Sequence, residues 1–155
     1  MFYTNYHTHS TFCDGTSTLE ENTLAAIANN FSHLGFSSHA PVPFTNDWSM
    51  KFDEMEHYKN QITRLQNQYQ KEISIYRGLE IDYIPGITHP FAYFKKELSL
   101  EYIIGGVHLV KPKHTEELWF IDGPEHNYIN GLQAIYNNNI TAGVEQYFHQ
   151  LWEMI

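Results

Sequence analysis

Tyr6-His7-Thr8-His9-Ser10-Thr11-Phe12-Cys13-Asp14-Gly15 is the stretch from which the fold is read. Residues 2–9 read as a strand. Side chains at i and i+2 of a strand point to the same face, so His7 and His9 can reach one ion together. Asp14-Gly15 turns the chain back and offers a carboxylate nearby. The H-x-H pair is equally consistent with two polar residues at a strand end, because a chain with ten histidines meets that spacing by chance. Residues further along the chain decide between the two.

Thr18 and Glu21 have the spacing of a capping box. Leu24, Ile27, Ala28, Phe31 and Leu34 then recur at helical spacing, and Gly35 supplies a stop. A second strand is expected at 36–38, ending at His39. Ala40-Pro41-Val42-Pro43 opens a loop that runs through Trp48 to Lys51. A second helix starts near Asp53, with Met55, Tyr58, Ile62, Leu65 and Tyr69 on one face. Residues 73–79 read as a third strand ending at Glu80, 91–98 as a short helix, and 102–107 as a fourth strand ending at His108. Residues 109–127 read as irregular, with helices over 128–138 and 141–155. In the last helix Val144, Tyr147, Phe148, Leu151 and Ile155 share a side.

This alternation of strand and helix is the pattern of an α/β fold with a parallel sheet or barrel. Active sites of such folds lie at the carboxyl ends of the strands. The four expected strands end at His7 and His9, His39, Glu80 and His108. Chance yields one such residue readily, and four in succession far less readily, so the set reads as a metal site.

Composition narrows the rest. A chain of 155 residues can bury one domain core, and 17% charged with 15% aromatic residues describes a globular protein. The formal net charge of -9 and the lack of a basic run disfavour nucleic acid as a partner. The single cysteine, Cys13, fits a reducing compartment. No signal-peptide pattern or membrane-length apolar run is legible, and a soluble cytoplasmic protein is expected.

The pieces His7-Thr8-His9-Ser10 with Cys13-Asp14-Gly15, Ser38-His39-Ala40-Pro41, Gly78-Leu79-Glu80-Ile81-Asp82 and Ile104-Gly105-Gly106-Val107-His108 resemble the PHP (polymerase and histidinol phosphatase) superfamily. Phe120-Ile121-Asp122-Gly123-Pro124 and Tyr147-Phe148-His149-Gln150-Leu151-Trp152 resemble its histidinol-phosphatase branch. The resemblance implies a distorted (β/α)7 TIM-like barrel and two to three divalent metal ions (Zn, Mn or Fe). His7 and His9 would bind one ion. Glu80 would bridge it to a second, also held by His108, and Asp14 and His39 would bind a third. The activity implied is hydrolysis of L-histidinol phosphate to L-histidinol and inorganic phosphate in histidine biosynthesis, with a metal-bound hydroxide as the nucleophile. Family ligands from later strands, in a Gly-His pair and an Asp-x-His, have no counterpart here. Since a closed barrel needs all its strands, residues 1–155 are expected to be one PHP domain truncated at its C-terminus, inactive by itself.

The chemistry suits the residues. Phosphomonoester hydrolysis needs charge stabilisation on the phosphoryl group, and paired divalent ions supply it. Mixed imidazole and carboxylate ligands do not choose among Zn, Mn and Fe. Cys13 reads as a packed residue beside the metal loop, and Asp82 as either an orienting partner for a ligand or a solvated loop residue. His33, His57, His89, His114, His126 and His149 read as surface or packing residues, and Trp119, Phe120, Tyr128, Tyr147 and Trp152 as core. Two other functions stay open: a PHP phosphoesterase acting on nucleotides or phosphotyrosine, and a non-catalytic PHP binding module. The substrate would be a small phosphomonoester, with no membrane and no nucleic acid as partner.

Overall fold

The computed structural model describes residues 3–113 and 115–155. Phe2, which opens the expected first strand, and His114, read as a loop residue, lie outside the described residues. The chain divides into two compact units, Met1–Ile81 with His89–Ile104, and Asp82–Thr88 with Gly105–Ile155.

The first unit holds a parallel sheet of β1 (Tyr3–Asn5), β2 (Phe31–Phe36) and β3 (Ser74–Arg77), in that order. Parallel neighbours require long crossovers, and α1 (Leu19–Ala28) and α2 (Met55–Gln68) provide them. The apolar face of α2 drives the packing. Tyr58, Ile62 and Leu65 are each 0% exposed against Leu34, Phe36 and Ile75 of the sheet, and each such side chain contributes roughly 1.5–3 kcal/mol. The Tyr58 hydroxyl donates to the Gly78 carbonyl at 3.0 Å, so its burial leaves no unpaired polar atom. α3 (Phe91–Leu98) adds Phe94 and Leu98 to the same core. Arg77, at the end of β3, is buried; its guanidinium donates to Leu98 O at 2.9 Å and Thr63 Oγ1 at 2.8 Å, tying α2 and α3 to the sheet.

The capping box forms as expected, with Thr18 and Glu21 bonded reciprocally. The end of α1 does not. The helix stops at Ala28, Asn30 takes a left-handed φ of 59°, and Phe31 and Leu34 belong to β2. Gly35 is therefore a strand residue and no helix stop. A Cβ there would lie 2.4 Å from the Tyr102 hydroxyl oxygen, which donates to Tyr6 O at 2.7 Å. Leu34 and Phe36 are 3% and 0% exposed, and this burial holds the segment in the sheet despite its helical spacing. His33 accordingly lies in a strand, its ring stacked on Tyr76 at 5.8 Å.

After β3 the chain runs into β4 (Glu80–Asp82) and passes from the first unit to the second within it. β5 is Ile104–Gly106. Within the first unit Ile104 N–H donates to Leu79 O at 2.9 Å, and within the second Tyr83 N–H donates to Gly106 O at 2.8 Å.

The second unit contains a feature absent from the sequence reading. Residues 109–127 include an antiparallel pair, β6 (Leu109–Val110) and β7 (Trp119–Phe120). Two helices follow, α4 (Glu125–Tyr136) and α5 (Ile140–Met154). Trp119 is 2% exposed, and its indole N–H donates to Tyr128 O at 2.9 Å. Gly131 and Gly143 make room for the ring: a Cβ on either would approach it to 2.5 and 2.7 Å. Gln150 is also fully buried; its amide donates to Tyr83 O and Leu109 O and accepts from Lys111 N–H. α5 turns Tyr147, Leu151 and Met154 to this core. Phe148 and Trp152 are 60% and 80% exposed, so the expected apolar side is split and Trp152 is no core residue. No helix among the described residues is long and apolar enough to cross a membrane.

Candidate metal centre

The site is built on the loop after β1, the segment after β2 and the first residue of β4 in the first unit. β1 ends at Asn5, so His7 and His9 lie past the strand and not on it. Asn5 Oδ1 accepts from the His7 N–H at 2.9 Å as the chain leaves the sheet. A tight turn follows, in which Cys13 N–H and Gly15 N–H both donate to Ser10 O, at 2.9 and 3.1 Å. A Cβ on Gly15 would sit 2.5 Å from Ser10 N, so the turn demands glycine. Ser10 is fully buried and bonded to Ser38 Oγ at 3.1 Å, and Asn22 donates to His9 O at 2.9 Å. Thr8 O accepts from Ser37 N–H, which aligns this turn with the end of β2. His39 and Glu80 then meet through a parallel bridge, with Ala40 N–H donating to Glu80 O at 2.8 Å.

The side chains converge on Glu80. His7 Nε2 and His9 Nε2 lie 3.0 and 2.9 Å from Glu80 Oε2, and His39 Nδ1 lies 3.5 Å from the same oxygen. The other nitrogen of His9 meets Asp14 Oδ1 at 2.8 Å, and His39 Nε2 is 3.8 Å from Asp14 Oδ2. Donor atoms of His7, His9 and Glu80 all fall within 4.8 Å of one another, as do those of His9, Asp14 and His39. Five of the six expected ligands are thus brought together in one unit. His108, the sixth, lies in the second unit. There its Nδ1 meets Asp82 Oδ1 at 2.8 Å, and the same oxygen accepts its backbone N–H at 3.3 Å. Asp82 is 2% exposed, so it is a buried partner of His108 and not a solvated residue. A carboxylate on Nδ1 selects Nε2 as the nitrogen for coordination.

The charges show what the donors are suited to hold. Burial pushes the Glu80 carboxyl up, but hydrogen bonds from His9 and His7 prevail and bring it down to about 2. Hydrogen bonds to Cys13, then Glu80 and Asp14, raise His9 to about 11 against the effect of burial. Protons on imidazoles occupy the space between nitrogen and carboxylate oxygen that a divalent cation occupies in a His/carboxylate site. A buried carboxylate oxygen ringed by three imidazole nitrogens fits such a cation.

Cys13 lies beside the metal loop, as expected, whereas Trp48 escaped the sequence reading. Burial pushes the Cys13 thiol up, but the influence of His9 and Ser38, with the backbone of Ser10 and Gly15, prevails and lowers it. Trp48 sets its ring edge-on to His39 at 5.2 Å. Its position in the Pro-containing loop after His39 was the available signal. Among the remaining histidines, His57 is in α2 and His149 in α5 as expected, while His126 falls in α4 and not in a loop.

The chain is 29% identical over 161 residues to the histidinol-phosphatase of Bacillus subtilis, a match covering 96% of this chain and 58% of that protein. A candidate histidinol phosphatase, HisK, of Listeria monocytogenes superposes with a TM-score of 0.66 at 21% identity, covering 81% of this chain and 52% of that one. The histidinol phosphate phosphatase of Lactococcus lactis, solved with zinc, L-histidinol and phosphate, has a TM-score of 0.53 at 25% identity, over 68% of this chain and 40% of that one. The chain spans about half the length of these relatives. The PHP domain model matches residues 5–155, nearly the whole chain, and the chain belongs to that family.

Proposed function

We propose that the protein acts in a metal-dependent phosphomonoesterase that hydrolyses L-histidinol phosphate to L-histidinol and inorganic phosphate. One observation carries the reading: Glu80 Oε2 is shared by His7 and His9 at 3.0 and 2.9 Å. In the proposed assignment His7 and His9 hold one ion, Glu80 bridges to a second that His108 also binds, and Asp14 and His39 hold a third. Two to three ions, Zn, Mn or Fe, fit N/O donors of this kind, and zinc is favoured by the Lactococcus neighbour. Bound, the ions would supply a water activated at neutral pH and positive charge for the phosphoryl oxygens.

The chain's own residues do the rest. The turn at 10–15 holds Asp14 against His9, Trp48 backs the His39 ring, and Asp82 fixes the tautomer of His108. We read residues 1–155 as part of one PHP domain of the distorted (β/α)7 type. The lone free thiol, Cys13, suits the reducing cytoplasm in which such an enzyme would work.

The substrate is tested by a panel. With Zn or Mn present, histidinol phosphate is expected to exceed nucleotide monophosphates and phosphotyrosine in kcat/KM by at least tenfold. A higher value for either competitor would make this a different PHP phosphoesterase. Metal binding with no turnover of any substrate would favour a binding module.

A further inference from the structure

The peptide that joins Tyr6 to His7 lies outside regular structure, just past the end of β1. Both of its polar groups are nevertheless bonded, each to a side chain. The Tyr6 carbonyl accepts from the Tyr102 hydroxyl at 2.7 Å, and the His7 N–H donates to Asn5 Oδ1 at 2.9 Å. A peptide unit is planar, with these two groups on opposite edges, so the two bonds fix the orientation of the whole plane. His7 has little else to hold it. Its side chain is 53% exposed, against 22% for His9 and 12% for His39.

Both partners are themselves anchored in the first unit. Asn5 is the last residue of β1, in register with Leu34 of β2. Tyr102 stands on a segment pinned beside the end of β3, where Glu101 N–H donates to Arg77 O at 2.8 Å and Ile104 N–H to Leu79 O at 2.9 Å. Its ring fills a slot against two glycines: a Cβ on Gly35 would collide with the hydroxyl oxygen, and one on Gly78 with Cζ. The Tyr6 ring meets it edge-on at 5.6 Å. A ring so confined presents its hydroxyl at one place.

We propose that Tyr102 and Asn5 are positioning residues for His7: together they hold the Tyr6–His7 peptide so that the His7 imidazole reaches the Glu80 oxygen it shares with His9. The proposal rests on the metal-site reading above and adds what keeps its most exposed histidine in place. Each residue acts through the backbone and is not itself a ligand. A metal site works only when its ligands stay within about 0.5 Å of their places, and an exposed side chain on an unrestrained peptide does not meet that demand.

The test uses the full chain as wild type and as three variants. Tyr102→Phe keeps the ring in its slot and removes the donor, Asn5→Ala removes the acceptor, and Asn5→Asp keeps it. Zinc affinity is measured by calorimetry. In the zinc-free proteins the His7 side chain is followed by imidazole nitrogen shifts and χ1 couplings. Tyr102→Phe and Asn5→Ala are each expected to weaken zinc about tenfold, the low end of the range for groups that act behind a ligand. Combined, they should fall well short of the product of the two effects, since both act on one plane. Asn5→Asp should recover the affinity lost in Asn5→Ala. Without zinc, His7 should average over rotamers while His9 and His39 each keep one; a general loss of structure would loosen all three, and melting curves check the fold. An unmoved His7 in both variants, all three histidines loosening together, or no recovery in Asn5→Asp would overturn the proposal. A wild type that binds no zinc, with His7 still released in the variants, would remove the metal reading and leave the positioning. Zinc bound equally by every variant with His7 unmoved would do the reverse.

Discussion

Glu80 accepts from His7 and His9 at one oxygen, and that concentration of donors makes its charge consequential. Glu80→Gln keeps the shape and removes the charge, and is expected to lower metal affinity by two orders of magnitude or more while circular dichroism stays unchanged. Unchanged metal stoichiometry by elemental analysis would refute the role. Asp82→Asn should act more mildly, by about 10–100-fold in affinity or activity, the usual range for a group that orients a metal-binding histidine. Protonation gives a further check. With His9 raised from 6.5 to about 11, the metal-free protein carries a proton there at pH 7. Metal uptake must displace it, so apparent affinity should rise with pH through the neutral range. Calorimetry in two buffers of different ionisation enthalpy should show release of at least one proton; none released would contradict the charge assignment. The metal-free pair also has its own stability window. Glu80, lowered from 4.5 to about 2, contributes above pH 4.5 and loses its contribution as pH falls towards about 2. His9 contributes fully below 6.5 and loses its contribution as pH rises towards about 11. At this scale the residues that meet around Glu80 were legible because His and Glu recur at expected strand ends. Trp48 was not, because a loop tryptophan carries no periodic signal.

At the scale of elements, α1 shows what a sequence pattern can and cannot settle. Its start was legible from Thr18 and Glu21, since both partners of a capping box are local. Thr18→Ala should cost about 1 kcal/mol, visible as a lowered melting temperature. Its end was obscured because Phe31 and Leu34 also satisfy helical spacing; the deciding interaction is pairing of β2 with β3, His33 opposite Ser74, remote in sequence and invisible to a local window. Gly35 is the sharpest probe of that outcome. Were it a helix stop, Gly35→Ala would cost about 1–2 kcal/mol through left-handed strain, and trimming Tyr102 to Phe would not relieve that cost. In the strand, the new methyl meets the Tyr102 hydroxyl, and a loss of about 1–3 kcal/mol is expected from overpacking. Denaturant titration of Gly35→Ala with and without Tyr102→Phe decides between them, since the two changes should couple in the strand. The β6–β7 pair was missed for a related reason: two-residue strands are too short to show alternation.

For the molecule as a whole, α/β alternation and the α2 core were readable, because long amphipathic helices impose periodicity. The arrangement of α5 was not. Val144, Phe148, Trp152 and Ile155 are 42%, 60%, 80% and 93% exposed, although the sequence gives no sign that they differ from Tyr147 and Leu151. Clustered exposed apolar residues favour association. Phe148→Glu with Trp152→Glu should reduce self-association and binding of a hydrophobic dye without lowering the melting temperature; a lowered melting temperature would mean these residues are packed. The central claim is that His7, His9 and Glu80 share an ion. The most direct measurement is anomalous diffraction at the zinc edge from crystals grown with zinc. A peak about 2.0–2.2 Å from His7 Nε2, His9 Nε2 and a Glu80 oxygen is the expected result. A fully loaded crystal with zinc elsewhere, and these three side chains still bonded to one another, would contradict it.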